Sequence, residues 1–270
     1  MAPPLESNDV VVLSTESLGS ADVRATIVLN IDFVNALFKE LLTPEEVSHD
    51  ALLSYYVDYY LAQVNNGGFA QFVYNTDWKP SVVALVKEGL SAIGATKHAE
   101  LFEKCEWLVA KQASKLSRFL ASAFFGKNTD RDRFNAINEQ FFSLEKTESL
   151  ERLNAAWLKS RPGLCTVPAS GLQAEIEKRA SRISDRDSRL AKARAAEPIY
   201  VKRIRALCEA AGHTLQKVTA GDPTNEYNGR RILAWHFITD KGHHFMVEAD
   251  GRAMMFQGKT KEQVAELNLG

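Results

Sequence analysis

Apolar positions recur at helical spacing through the first 160 residues and turn to alternation in the last sixty. Leu53, Tyr56, Val57, Tyr60, Leu61 and Val64 fall on one helical stripe, since residues three and four apart share a face. Thr43-Pro44-Glu45-Glu46 precedes it with an N-cap, a proline at the first helical position and a capping-box glutamate. A first helix is predicted over about 32–42, and Pro80 opens another that ends near Gly94. Thr96 is expected to cap the next, with Leu101, Cys105, Leu108 and Val109 inward. Further helical segments lie near 114–125, 130–143 and 148–160, with Thr129 and Thr147 as caps and Phe134, Ile137 and Phe141 on a buried face. Short polar connections predict an antiparallel all-α bundle over 25–165. Residues 1–24 read as a poorly ordered segment, apart from Val10–Leu13, which could add a short strand.

Arg161-Pro162-Gly163 and Val167–Gly171 mark a boundary. Residues 166–197 read as a charged linker, with 172–196 one long solvated helix whose apolar positions are chiefly Leu172, Ile176, Ile183 and Leu190. Pro198 breaks it, and a shorter helix runs to Ala211. A small α+β domain follows over 198–270, with a possible strand at 214–218 and an antiparallel meander. A three-residue loop at 240–242 would pair Phe237 with Phe245 and Trp235 with Val247. Asp250-Gly251 would pair Val247 with Met254 and Phe245 with Phe256, and Thr260 would cap a closing helix through Leu267. The fold class is α+β overall.

One stretch stands out. Residues 63–75 hold five side-chain amides (Gln63, Asn65, Asn66, Gln71, Asn75), two adjacent glycines and three aromatics. Asn66-Gly67 is a helix stop, because both residues tolerate the left-handed conformation. Gly68 then lets a second helix begin at once, carrying Phe69 and Phe72. Amides are poor acids, bases and nucleophiles, so Gln63, Asn65, Asn66, Gly67, Gly68, Phe69, Gln71, Phe72 and Asn75 read as structural. The run Tyr-Tyr-x-x-x-Tyr-x-x-x-Val-Asn-Asn-Gly-Gly-Phe-x-Gln-Phe-x-x-Asn from Tyr55 resembles the bacterial DNA-mimic-protein-like family over residues 25–160. That resemblance implies an all-helical domain whose best-known relative imitates DNA in surface charge and occupies a transcription factor.

Charge sharpens the picture. Residues 1–110 carry 15 acidic against 6 basic side chains, whereas 182–205 carry eight basic against three acidic. Glu46, Asp50 and Asp58 lie on one helix, and Glu100 and Glu103 on a later one; carboxylates three or four residues apart stand roughly 5–6 Å from each other. These five are the partner-binding candidates. The basic strap of Arg182, Arg186, Arg189, Lys192 and Arg194 is interleaved with Asp185 and Asp187 and lacks stacking aromatics, which argues against direct nucleic-acid binding. His236, His244 and Glu248 form a weak metal-ligand candidate on the meander, since the expected register puts them on one face. No glycine elbow or phosphate loop is present, and no cofactor is expected.

Three scattered cysteines, no secretory leader and no apolar run of membrane length point to a cytoplasmic chain with no membrane association. The leading reading is a non-enzymatic interaction module binding a basic partner such as a DNA-binding regulator. The alternatives are an immunity-type protein neutralising a toxin, and a metal-dependent enzyme or metal-binding protein built on the meander. A homodimer is compatible with the charge asymmetry.

Overall fold

The computed structural model describes residues Val10–Leu269, in two compact units that divide between Ser184 and Asp185. The protein is α+β, with helices filling the first unit and a five-stranded antiparallel sheet the second.

The first unit runs β1 (Val12–Ser14), α1 (Thr15–Gly19), α2 (Arg24–Lys39), α3 (His49–Gly67), α4 (Phe69–Thr76), α5 (Pro80–Ala92) and α6 (Thr96–Lys111). It continues through α7 (Ala113–Leu120), α8 (Thr129–Phe134), α9 (Asn138–Glu145), α10 (Leu150–Lys159), β2 (Cys165–Val167) and α11 (Leu172–Ala180). The short strand expected within Val10–Leu13 forms as β1, whereas the following residues to 24, expected to be poorly ordered, form α1 and lead into α2, which starts well before residue 32. Val11, Val12 and Leu13 are buried, and β1 pairs in parallel with β2, Val12 opposite Cys165. The rest of that expectation, residues 1–9, lies outside the described residues.

Helix α3 is the centre of the bundle and packs on α2, α4, α5 and α10. Its stripe is realised, since Leu53, Val57, Tyr60, Leu61 and Val64 are buried. Gly89 lets α5 approach closely, because a Cβ there would stand 2.9 Å from the Leu53 carbonyl oxygen. The Thr43 capping box forms, but on a separate 3-10 turn, Pro44–Glu46. Val47 turns extended and is buried, and Ser48 starts α3 with its own side-chain cap on the Ala51 amide at 3.3 Å. The caps of α8 and α10 are Asn128 and Ser149 rather than Thr129 and Thr147. At α6 the capping residue is Ala95, and Thr96 is already helical.

The stretch read as one long helix is two. Helix α11 belongs to the bundle, with Ile176, Ala180 and Ile183 buried, and the Arg179 guanidinium lies 5.5 Å from the Phe33 ring centre. The chain bends at 181–185 to bring Ile183 inward. Beyond it, no residue of α12 (Arg186–Ala196) is buried. Both helices are rich in charged residues, and the apolar stripe of α11 marks the packed one.

The second unit continues with α13 (Ile199–Ala210), β3 (Leu215–Asp222), β4 (Glu226–Tyr227), β5 (Arg230–Arg231), β6 (Ala234–Thr239), β7 (Gly242–Ala249), β8 (Arg252–Gln257) and β9 (Gln263–Asn268). The sheet order is β3-β6-β7-β8-β9. The Asp250-Gly251 turn holds the expected register, with Val247 opposite Met254 and Phe245 opposite Phe256. The β6–β7 turn does not. Its loop has two residues, Thr239 pairs with Gly242, and Phe237 therefore faces His244 instead of Phe245. Residues 263–268 form an edge strand where a helix was expected. Pairing with β8 and the packing of Val264, Ala265 and Leu267 override local helix propensity.

Candidate functional site

At the corner, α3 ends on Gly67 and α4 begins at Phe69, with Gly68 at φ 79° between them. The first amides of a helix have no partner within it, and here two remote asparagines supply them. The Phe69 N–H donates to Asn138 Oδ1 and the Ala70 N–H to Asn135 Oδ1, both at 2.9 Å. Asn135 Nδ2 also donates to the Gly67 carbonyl at 3.4 Å, so one side chain ties the end of α3 to the start of α4. A Cβ on Gly68 would lie 2.2 Å from Asn138 Nδ2 and 2.3 Å from Asn135 Oδ1. Glycine is thus required for space as well as for its positive φ.

The motif amides form a second network. Gln71 Nε2 and Asn75 Nδ2 both donate to Gln63 Oε1, at 2.9 and 2.7 Å, and Asn66 Nδ2 donates to Gln71 Oε1 at 3.1 Å. Gly67 leaves room for Gln71, whose Oε1 a Cβ would meet at 2.1 Å. Phe69 and Phe72 are fully buried against Trp78, and Phe72 also against Tyr60 and Phe102. Asn65 is exposed and stands apart from the network. These contacts are amide hydrogen bonds and aromatic packing, neither of which moves a proton at neutral pH.

The acidic candidates divide by exposure. Asp58 is buried, 3.3 Å from Arg24, whose other nitrogen lies 3.0 Å from Glu151. Burial raises its carboxyl above the usual range while Arg24 pulls it back. Buried and paired with Arg24, Asp58 offers no exposed carboxylate to a partner. Glu46 closes the capping box on the Thr43 amide at 2.9 Å, and Asp50 sits 3.7 Å from Arg161. Glu100 and Glu103 are exposed on the outer face of α6, with Lys87 3.9 Å from Glu103. One turn on, Trp107 is 62% exposed, and the three line an open depression of about 470 Å³ with Lys104.

A larger depression of about 550 Å³ includes Lys97, Glu145, Lys146, Glu148 and Arg152. Its carboxylates are committed: Glu148 accepts from the His98 amide at 2.9 Å, and Glu145 from the Leu150 amide at 3.1 Å. They cap α6 and α10. Burial pushes the Cys105 thiol up, and the Cys208 thiol up to about 11, so neither is a thiolate nucleophile near neutrality.

The one-residue change at the β6–β7 turn separates the metal candidates. His244 and Glu248 lie on the sheet face covered by α13, where His244 is buried 3.0 Å from the Gly242 carbonyl and Glu248 pairs with Arg203. His236 lies on the opposite face, across from Phe245. Among the described residues, no group of three or more His, Cys, Asp or Glu is placed to hold a metal ion.

Residues 45–161 match the DMP19-like protein family. The match spans α3 to α10, includes the corner and both remote asparagines, and bears out the resemblance carried by residues 55–75. No curated protein and no solved structure matches the chain. The DMP19-like segment holds 15 acidic and 14 basic side chains, a net charge of −1. Any likeness to DNA in this segment is thus local rather than a property of its total charge. Among the described residues, no helix is long and apolar enough to cross a membrane. Asn135 and Asn138 escaped the sequence reading, since nothing in their neighbourhood points to a turn some 65–69 residues earlier.

Proposed function

We propose that the DMP19-like segment is a non-enzymatic interaction module that occupies a basic surface of a DNA-binding protein. The family match supports the class of partner. The outer face of α6 supports the place. Glu100, Glu103 and Trp107 are exposed at helical spacing on one face, joining two carboxylates to an aromatic of the kind that dominates binding energy at interfaces. With a segment charge of −1, recognition rests on this local array and not on a uniform acidic field.

The test is capture of host proteins on the immobilised chain at low salt, eluted with a salt gradient, beside a Glu100→Lys/Glu103→Lys variant. A DNA-binding protein should release steeply between roughly 50 and 200 mM salt and bind the variant weakly. Capture indifferent to salt and to the charge reversal would remove the proposal.

A further inference from the structure

On the sheet face away from α13, two imidazoles meet. His236 on β6 and His243 on β7 are diagonal neighbours across the hairpin, since His236 faces Phe245 and Ile238 faces His243. The rings stack with 19° between their planes and centres 5.1 Å apart, and His236 Nδ1 lies 2.9 Å from His243 Nε2. His243 is exposed and His236 half-buried, so the pair is open to solvent.

Two nitrogens on one metal at bonds of roughly 2.0–2.1 Å stand about 2.9 Å apart at a right angle and about 3.3 Å apart at the tetrahedral angle. The pair already has that spacing on two hydrogen-bonded strands. Gly258 fixes the second ring: its N–H donates to the His243 carbonyl at 2.8 Å, and a Cβ there would come within 2.1 Å of His243 Nδ1. The bare glycine leaves the ring its place, and Nε2 is the nitrogen turned to His236.

We infer that His236 and His243 form a two-imidazole site for a late first-row divalent cation, with Cu²⁺ held most tightly, then Ni²⁺ and Zn²⁺. On binding, the proton bridging the rings moves to the far nitrogen of the ring that carries it, and both facing lone pairs turn to the metal. The remaining positions go to water, because no third His, Cys, Asp or Glu among the described residues completes the set. The site is distinct from the His236, His244 and Glu248 set that the sequence suggested.

Titration of the purified full chain with Cu²⁺ alone, followed by calorimetry and electron paramagnetic resonance, tests this. One equivalent should bind, with two nitrogen donors in the spectrum and a higher Tm. His236→Ala and His243→Ala should each lose one nitrogen donor and about tenfold or more in affinity, and His49→Ala should lose neither. Gly258→Ala keeps both imidazoles but displaces one, and should weaken binding by roughly tenfold. Melting each variant without metal shows that it is folded. Absence of stoichiometric binding, or binding unchanged in both single histidine variants or in Gly258→Ala, would overturn the inference.

Discussion

The glycine corner and the β6–β7 hairpin are both chain reversals, yet they are fixed from opposite distances. The hairpin is local: Thr239 pairs with Gly242, and the Thr239 hydroxyl accepts from the Lys241 amide at 3.0 Å. One residue more or fewer in its loop moves every side chain of one strand to the other face. The corner is remote: its turn is closed by Asn135 and Asn138, on the other side of four intervening helices. A short reversal is therefore not by itself a local structure; what matters is where its unpaired backbone groups find partners.

The largest test of that contrast is Gly68→Ala. It forces a left-handed backbone on alanine and drives out two capping amides, which together should cost roughly 3 kcal/mol or more, read by urea denaturation. Asn135→Ala removes a partner of both Ala70 and Gly67 and should cost about 2 kcal/mol, against about 1 kcal/mol for Asn138→Ala. Equal losses would deny Asn135 its double role. At the hairpin, Thr239→Ala should cost about 1 kcal/mol, with the loss of amide protection confined to β6 and β7.

Acid should separate the two reversals further. Burial, and then His243, lowers the pKa of His236, while burial is the main cause that lowers that of His244. The unfolded chain then binds more protons there than the folded one, so this contribution is present above about pH 6.5 and is lost as pH falls through the lower folded values. Hydrogen-exchange protection at β6–β7 should drop between about pH 7 and 5, while the amide-only corner holds. The smallest effect belongs to Glu100→Gln/Glu103→Gln, which should change stability by less than about 0.5 kcal/mol. A greater loss would show that these carboxylates serve the fold and not a partner.

Much of the fold was legible because its signals are local. The stripe of α3, the stop at Gly67 and the Asp250-Gly251 register each follow from a few adjacent residues. What was not legible depended on distant partners or on a choice between near-equal loops. Thr260 to Leu267 has helical composition, and only the open edge of β8 makes it a strand. Asp240-Lys241-Gly242 suits a two- or a three-residue loop, and only the two-residue loop puts His236 on the face opposite His244. Asp58 has the spacing of a surface carboxylate, and nothing adjacent reveals that it is buried against Arg24, which also pairs with Glu151.

The remote clamp also sets an order of events during synthesis. When Phe69 and Ala70 are joined to the growing chain, the side chains that will hold them are still 69 and 65 residues from being made. The most recognisable turn in the chain stays unlatched until α5 to α8 have been translated. Its closure is then a late, long-range step that reports whether everything between has folded.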